Sequence, residues 1–157
     1  MNLRTWLERA GLTKLKLNVK VLEAEWEPAQ GDRDAAWELY VEMLTRIVTQ
    51  PLPRNHGDEK TALDSVYSLF AVTREILRRR GRRCVGFTRI AVVVLNQVVR
   101  PFTAKWHPLS LAGTFEKASG RREFRKELEK LQADLRRYAG LLAAIAEVED
   151  LTDLSDS

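Results

Sequence analysis

The side chains best placed to do chemistry in this sequence are arginines. Arg78, Arg79, Arg80, Arg82 and Arg83 fall within six positions, interrupted only by Gly81. Arginine forks match phosphate oxygens and release counterions from nucleic acids, so the run predicts a phosphate or nucleic-acid patch. The alternative is a solvated helix terminus, where basic residues offset the negative end of the dipole. A second basic group, Arg121, Arg122 and Arg125 with Lys126, opens the last predicted helix, where the dipole disfavours positive charge. Glu116, Glu123 and Glu127 stand near enough in sequence to neutralise it.

The stretch from Arg100 to Pro108 gathers a guanidinium (Arg100), an ammonium (Lys105), an indole (Trp106) and an imidazole (His107) between two prolines. Such a set can hold an anionic or aromatic ligand against a rigid corner. The competing expectation is that Phe102 and Trp106 plug the end of a bundle while Lys105 and His107 face water, and packing is the commoner use of aromatics there. Cys84 follows two arginines that favour its thiolate, with His56 and His107 as the only candidate bases, but a lone cysteine opening an apolar helix is more often a small buried hydrophobe. Glu38, Glu42 and Arg46 stand four apart, which predicts a surface ladder with the favourable Glu42 to Arg46 orientation. Neither histidine belongs to a Glu-x-x-His pair, so no metal site is expected. No glycine-rich phosphate loop, Gly-x-Ser-x-Gly elbow or zinc spacing occurs, so no catalytic residue and no cofactor are assigned.

Helices must position these groups. Leu12, Leu15, Val19, Leu22 and Trp26 recur at helical spacing, although Leu15, Leu17, Val19 and Val21 also alternate as a strand would; length favours a helix. Asp32 or Asp34 caps the next helix, whose buried side is Trp37, Tyr40, Val41, Leu44, Ile47 and Val48, and Pro51 and Pro53 stop it. A polar loop through Arg54, Asn55, His56 and Gly57 leads to a third helix that starts near Asp58 and closes at Gly81. The fourth, about Val85 to Arg100, is apolar around most of its circumference and is expected at the centre of a bundle, with a buried strand as the alternative for its β-branched run. An irregular corner spans Phe102 to Gly113. The last helix, about Gly120 to Val148, carries Phe124, Leu128, Leu131, Leu135, Tyr138, Leu142 and Ile145 as a seam, which either lines the chain's own core or pairs with another chain.

The fold class expected is therefore all-α: one bundle of about five helices over residues 1–148 with a long C-terminal helix, then an acidic, flexible tail over 149–157. The 157 residues suffice for a single core without staples. The net charge of +4 conceals an asymmetry, because Glu147, Glu149, Asp150, Asp153 and Asp156 put five negative charges in the last eleven residues and leave +9 on the rest. One cysteine permits no internal disulfide, and Arg4, Glu8 and Arg9 interrupt any signal-like apolar run, so a cytoplasmic setting is expected. The apolar stretch Ile90 to Val99 is shorter than the ~20 residues of a membrane span, and no membrane contact is expected.

The blocks Trp37 to Arg46 and Arg100 to Pro108 resemble short helical proteins of unassigned function encoded in bacterial genomes, some associated with accessory or defence gene clusters. The resemblance spans most of the chain and brings neither a mechanism nor a functional residue. The leading expectation is a non-enzymatic interaction module that binds a protein partner or itself through the C-terminal seam. A nucleic-acid or nucleotide-binding accessory protein using the arginine groups is the alternative, and an anionic-ligand pocket at the Arg100 to Pro108 corner is the third.

Overall fold

The computed structural model describes residues 1–53 and 58–152. Among these residues the chain is all-α with no strand: α1 (Leu3–Arg9), α2 (Val19–Glu23), α3 (Gln30–Leu44), α4 (Glu59–Arg80), α5 (Val85–Val94), α6 (Arg100–Leu111) and α7 (Ala118–Ala146). The last five form the bundle, and α7 lies along α3 at its centre.

The helix ends follow from local chemistry. Asn2 caps α1 by accepting from the Thr5 N–H, and Gly11, at φ 78°, closes it. There the Gly11 N–H reaches the Glu8 carbonyl and the Leu12 N–H the Leu7 carbonyl, which satisfies two free carbonyls. Asp58 caps α4 as expected, accepting from the Thr61 N–H at 2.9 Å and the Thr61 hydroxyl at 2.7 Å. These two bonds hold its carboxyl below the ordinary aspartate range. A depressed folded value means the contribution is present above the ordinary range and is lost as pH falls through that lowered value. Asp58→Ala is therefore expected to cost about 0.5–2 kcal/mol at neutral pH. The cost should vanish in strong acid, as paired urea titrations at the two pH values will read.

The α7 seam is filled by the chain itself. Phe124, Leu128, Leu131, Leu135, Tyr138, Leu142 and Ile145 are all buried in the common core with Leu39, Tyr40 and Met43 of α3. They are not exposed to a partner, which corrects the expectation that this seam is an interaction surface: α3 and its neighbours supply the apolar cover that a second chain would otherwise have given. Tyr138 is the seam's weak point, since its hydroxyl is buried with no hydrogen-bond partner among the described residues. Burial also raises its phenol above the ordinary tyrosine range. Tyr138→Phe is expected to stabilise the fold by about 1 kcal/mol by removing an unsatisfied hydroxyl. It should also remove a stability loss that sets in as pH rises through the ordinary tyrosine range, where the unfolded phenol ionises and the buried one does not. Thermal melts at neutral and alkaline pH measure both effects.

Besides the second predicted helix, which ends at Leu44 well before Pro51 and leaves Trp37 and Val41 exposed, three expectations about elements are overturned. The continuous helix from Leu12 to Trp26 is absent; only Val19–Glu23 is helical, and Leu15 and Leu17 are half-buried between exposed Lys14, Lys16 and Asn18. The period-2 pattern wins locally because Gln97 supplies the hydrogen bonds a helix would have given. The Lys16 N–H donates to Gln97 Oε1 at 2.8 Å, and Gln97 Nε2 donates to the Lys16 carbonyl at 2.7 Å. The irregular corner from Phe102 to Gly113 is likewise absent, because α6 runs through Arg100–Leu111. A π-turn at Leu95–Val99, with the Arg100 N–H bonded to the Leu95 carbonyl, widens the helix just before Pro101. That relieves the clash a proline ring makes with the carbonyl four residues earlier.

Third, α5 is not enclosed at the centre of the bundle. Phe87, Ile90, Ala91 and Val94 face the core, while Val85 and Val92 are exposed. The largely helical stretch Glu59–Leu111 contains an 18-residue window of mean hydropathy 1.2, long and apolar enough for a membrane span, of which 33% is buried within the protein. Core helices of soluble proteins meet the same criterion.

The predicted loop Arg54–Gly57, His56 included, lies outside the described residues, as do residues 153–157 of the acidic tail. Residues up to Thr152 return to α3: the Leu151 N–H donates to the Tyr40 hydroxyl, which donates to Asp150 Oδ1 at 3.2 Å, and Thr152 is buried.

Candidate functional site

The arginine run divides between two faces. Arg80 donates to Glu38 Oε1 at 2.6 Å and lies 3.5 Å from Asp34, while Arg79 donates to Glu38 Oε2 at 3.1 Å. These bonds hold the Arg80 guanidinium above its ordinary range, with the Glu38 hydrogen bond as the main cause. Arg78, Arg82 and Arg83 are exposed and form no ion pair with any described residue. The second basic group is largely spent on the backbone. Arg121 donates to the Phe115 carbonyl at 2.8 Å, and Arg125 binds both Glu59 at 2.9 Å and the Pro53 carbonyl at 2.7 Å. Only Arg122 and Lys126 of that group stay exposed and unpaired among the described residues.

The corner residues do not converge on one cavity. Trp106 is 0% exposed, stacked on Phe115 at 5.9 Å and edge-on to Phe124 at 5.2 Å, with its indole N–H given to Glu127. It is the plug. Lys105 also binds Glu127, at 2.6 Å, and this bond is the main reason its ammonium stays protonated above the ordinary lysine range. Arg100 lies 4.8 Å over the Phe70 ring, and His107 is exposed and stacked on Tyr67 at 6.2 Å. The helical rotation of α6 therefore sends Lys105 and Trp106 to α7 but Arg100 and His107 to α4. Cys84 is buried beside the Gly81 carbonyl and the Thr88 hydroxyl and presents no nucleophile to solvent.

What the fold does build is a groove of about 760 Å³ beside α5. Its apolar surface comes from Leu17, Val21, Leu77, Val85, Val92 and Val93, and its charged side chains are Lys16, Arg82 and Arg89. Each wall has a cause. Gly81, at φ 58°, stops α4 and hands the chain to a short 3-10 turn, Gly81–Cys84, which lays Leu77 and Arg82 at one end. Asp32 restarts the next helix by accepting the Phe87 N–H at 2.8 Å while its other oxygen accepts the Ala29 N–H at 2.9 Å, so one buried carboxylate ties the first turns of both α3 and α5. Gly31 permits this closeness, since a Cβ there would lie 2.2 Å from the Arg83 carbonyl oxygen. Trp26 covers Gly86 on one flank of α5. The Gln97 clamp fixes the Lys16–Val21 wall opposite.

Val85, Thr88 and Val92 recur at helical spacing along the floor, so one stripe of α5 faces out. Val85 is 49% and Val92 42% exposed. Sequence reasoning missed this site because it took all-round apolarity to mean all-round burial. The signal available was the alternation that begins at Leu15 and Leu17, two half-buried apolar residues on a non-helical segment that needs a helix to lie on. Among the described residues no three His, Cys, Asp or Glu side chains gather to hold a metal.

No family model, no curated protein and no solved structure matches this chain.

Proposed function

We propose that the chain is a non-enzymatic helical interaction module of the cytoplasm that docks a protein partner in the groove beside α5. The exposure of Val85 and Val92, on a helix whose other face fills the core, carries this reading. Apolar surface held open on a rigid concave scaffold, with charge confined to its rim, is the usual composition of a recognition site. The α7 seam plays no part in it, being core.

The test is affinity capture from the native host with the wild-type chain and a Val85→Asp/Val92→Asp variant, together with light scattering on both. Wild type is expected to retain a partner in stoichiometric amount or to self-associate. The variant should fold normally, because both positions face solvent, and should be a lone monomer. A wild-type chain that is strictly monomeric and captures nothing the variant does not would overturn the reading.

A further inference from the structure

We infer that the occupant of the groove is an acidic amphipathic helix of the partner protein, an inference that rests on the groove being the docking site. Three observations lead there. First, the rim has a single sign: Lys16, Arg82 and Arg89 are its charged side chains, and no carboxylate lines it. The other clefts are mixed, with Glu38, Glu42 and Glu75 beside Arg79 between α3 and α4, and Glu59 and Glu129 beside the α7 arginines. The arginine run singled out in the sequence thus acquires a use, since Glu38 draws Arg79 and Arg80 away and leaves Arg82 to the rim.

Second, the floor has the length of a helical ridge. Val85 and Val92 are seven residues apart, which on α5 is about 10 Å, or two turns. A docking helix with apolar residues at i, i+3 or i+4, and i+7 matches that span, and its flanking carboxylates can pair with Lys16, Arg82 and Arg89. Third, the shape disfavours the other amphiphiles. The Leu17–Val21 wall and Leu77 make the surface concave, whereas a bilayer surface needs a protruding apolar face. The exposure of Val85 and Val92 makes the groove too open to wrap a single acyl chain.

The experiment uses the full chain and two synthetic 18-residue peptides with the same leucine ridge, one flanked by glutamates and one by lysines, read by fluorescence anisotropy. The glutamate peptide is expected to bind at least tenfold tighter than the lysine peptide, with the margin shrinking as salt is raised. Val92→Lys should weaken the glutamate peptide at least tenfold although it adds positive charge, which separates groove binding from general attraction to a basic protein. Arg82→Glu/Arg89→Glu should reverse the preference. Equal affinities for the two peptides, both lost in Val92→Lys, would overturn the acidic partner while leaving the docking groove intact. Glutamate-peptide binding that Val92→Lys does not change, or no binding by either peptide, would overturn the inference. So would Val92-dependent binding to phosphatidylglycerol vesicles in place of peptide.

Discussion

Trp106→Ala is expected to lower the free energy of unfolding by about 3–5 kcal/mol, the range for deleting a large aromatic side chain from a packed core. Trp106 is among the largest fully buried side chains of the protein. It stands where α6, α7 and the turn after α6 meet, and its neighbours Phe115 and Phe124 are themselves in edge contact at 4.8 Å. Removing it leaves a cavity that two aromatic rings and a helix cannot collapse to fill. The variant also leaves Glu127 with Lys105 alone. Since single domains are stable by only about 5–15 kcal/mol, the loss is a large fraction of the total. Urea denaturation followed by circular dichroism provides the number, and a loss under 1 kcal/mol would show that the corner is not a plug. Trp106→Phe is expected to cost less than Trp106→Ala, because it keeps much of the packing while losing the N–H and part of the ring.

The second large effect is expected at Asp32. Its carboxylate is 3% exposed and accepts from two backbone N–H groups, those of Ala29 and Phe87. Asp32→Ala strands the Phe87 N–H inside the protein, at a cost of about 1–3 kcal/mol for an unsatisfied buried donor. Loss of the α3 cap adds about 1 kcal/mol more, softened by water at the exposed Ala29. Hydrogen exchange distinguishes this account from a general loosening. The Phe87 amide should exchange at least tenfold faster in the variant, while the Leu128 and Leu135 amides in α7 keep the protection that the lower global stability allows. Asp32→Asn, which retains one acceptor oxygen, is expected to lose less than Asp32→Ala. Because α5 carries the groove floor, Asp32→Ala should also weaken whatever binds there.

The contrast between these residues explains how far the sequence could be read. The long helices α4 and α7 were legible because their signals are local: Asp58 caps, Gly81 stops, and the apolar stripe from Phe124 to Ile145 recurs over seven positions. Trp106 was legible as a plug for the same reason, a large aromatic at a helical position near a bundle end. Asp32 was legible as a cap but not as a tie, because its second donor lies 55 residues away. The same kind of distance hid Gln97, whose amide substitutes for a backbone partner of Lys16 across 81 residues and lets the N-terminal segment stay extended. Pro101 misled for a different reason. A proline read alone ends a helix, but a widened turn one residue earlier accommodates it, and nothing in the side chains of Leu95 to Val99 announces that turn. The groove was hidden by a similar ambiguity, since a valine-rich helix looks the same whether its last face is covered by the protein or left open.

The widened turn at Leu95–Val99 has a consequence for how the chain tolerates change in length. It holds one residue more than an ordinary helical turn, and each residue rotates the helix beyond it by about 100°. An ordinary turn lengthened by one would throw α6 out of phase, and the widening absorbs that extra residue. A chain shortened by a single residue within that stretch would close to an ordinary turn and leave α6 near its present bearing, whereas one shortened between Arg100 and Trp106 would swing the indole away and bring a neighbouring position toward Phe124. Loss of one codon should therefore be absorbed within the widened turn and not in the regular helix after it.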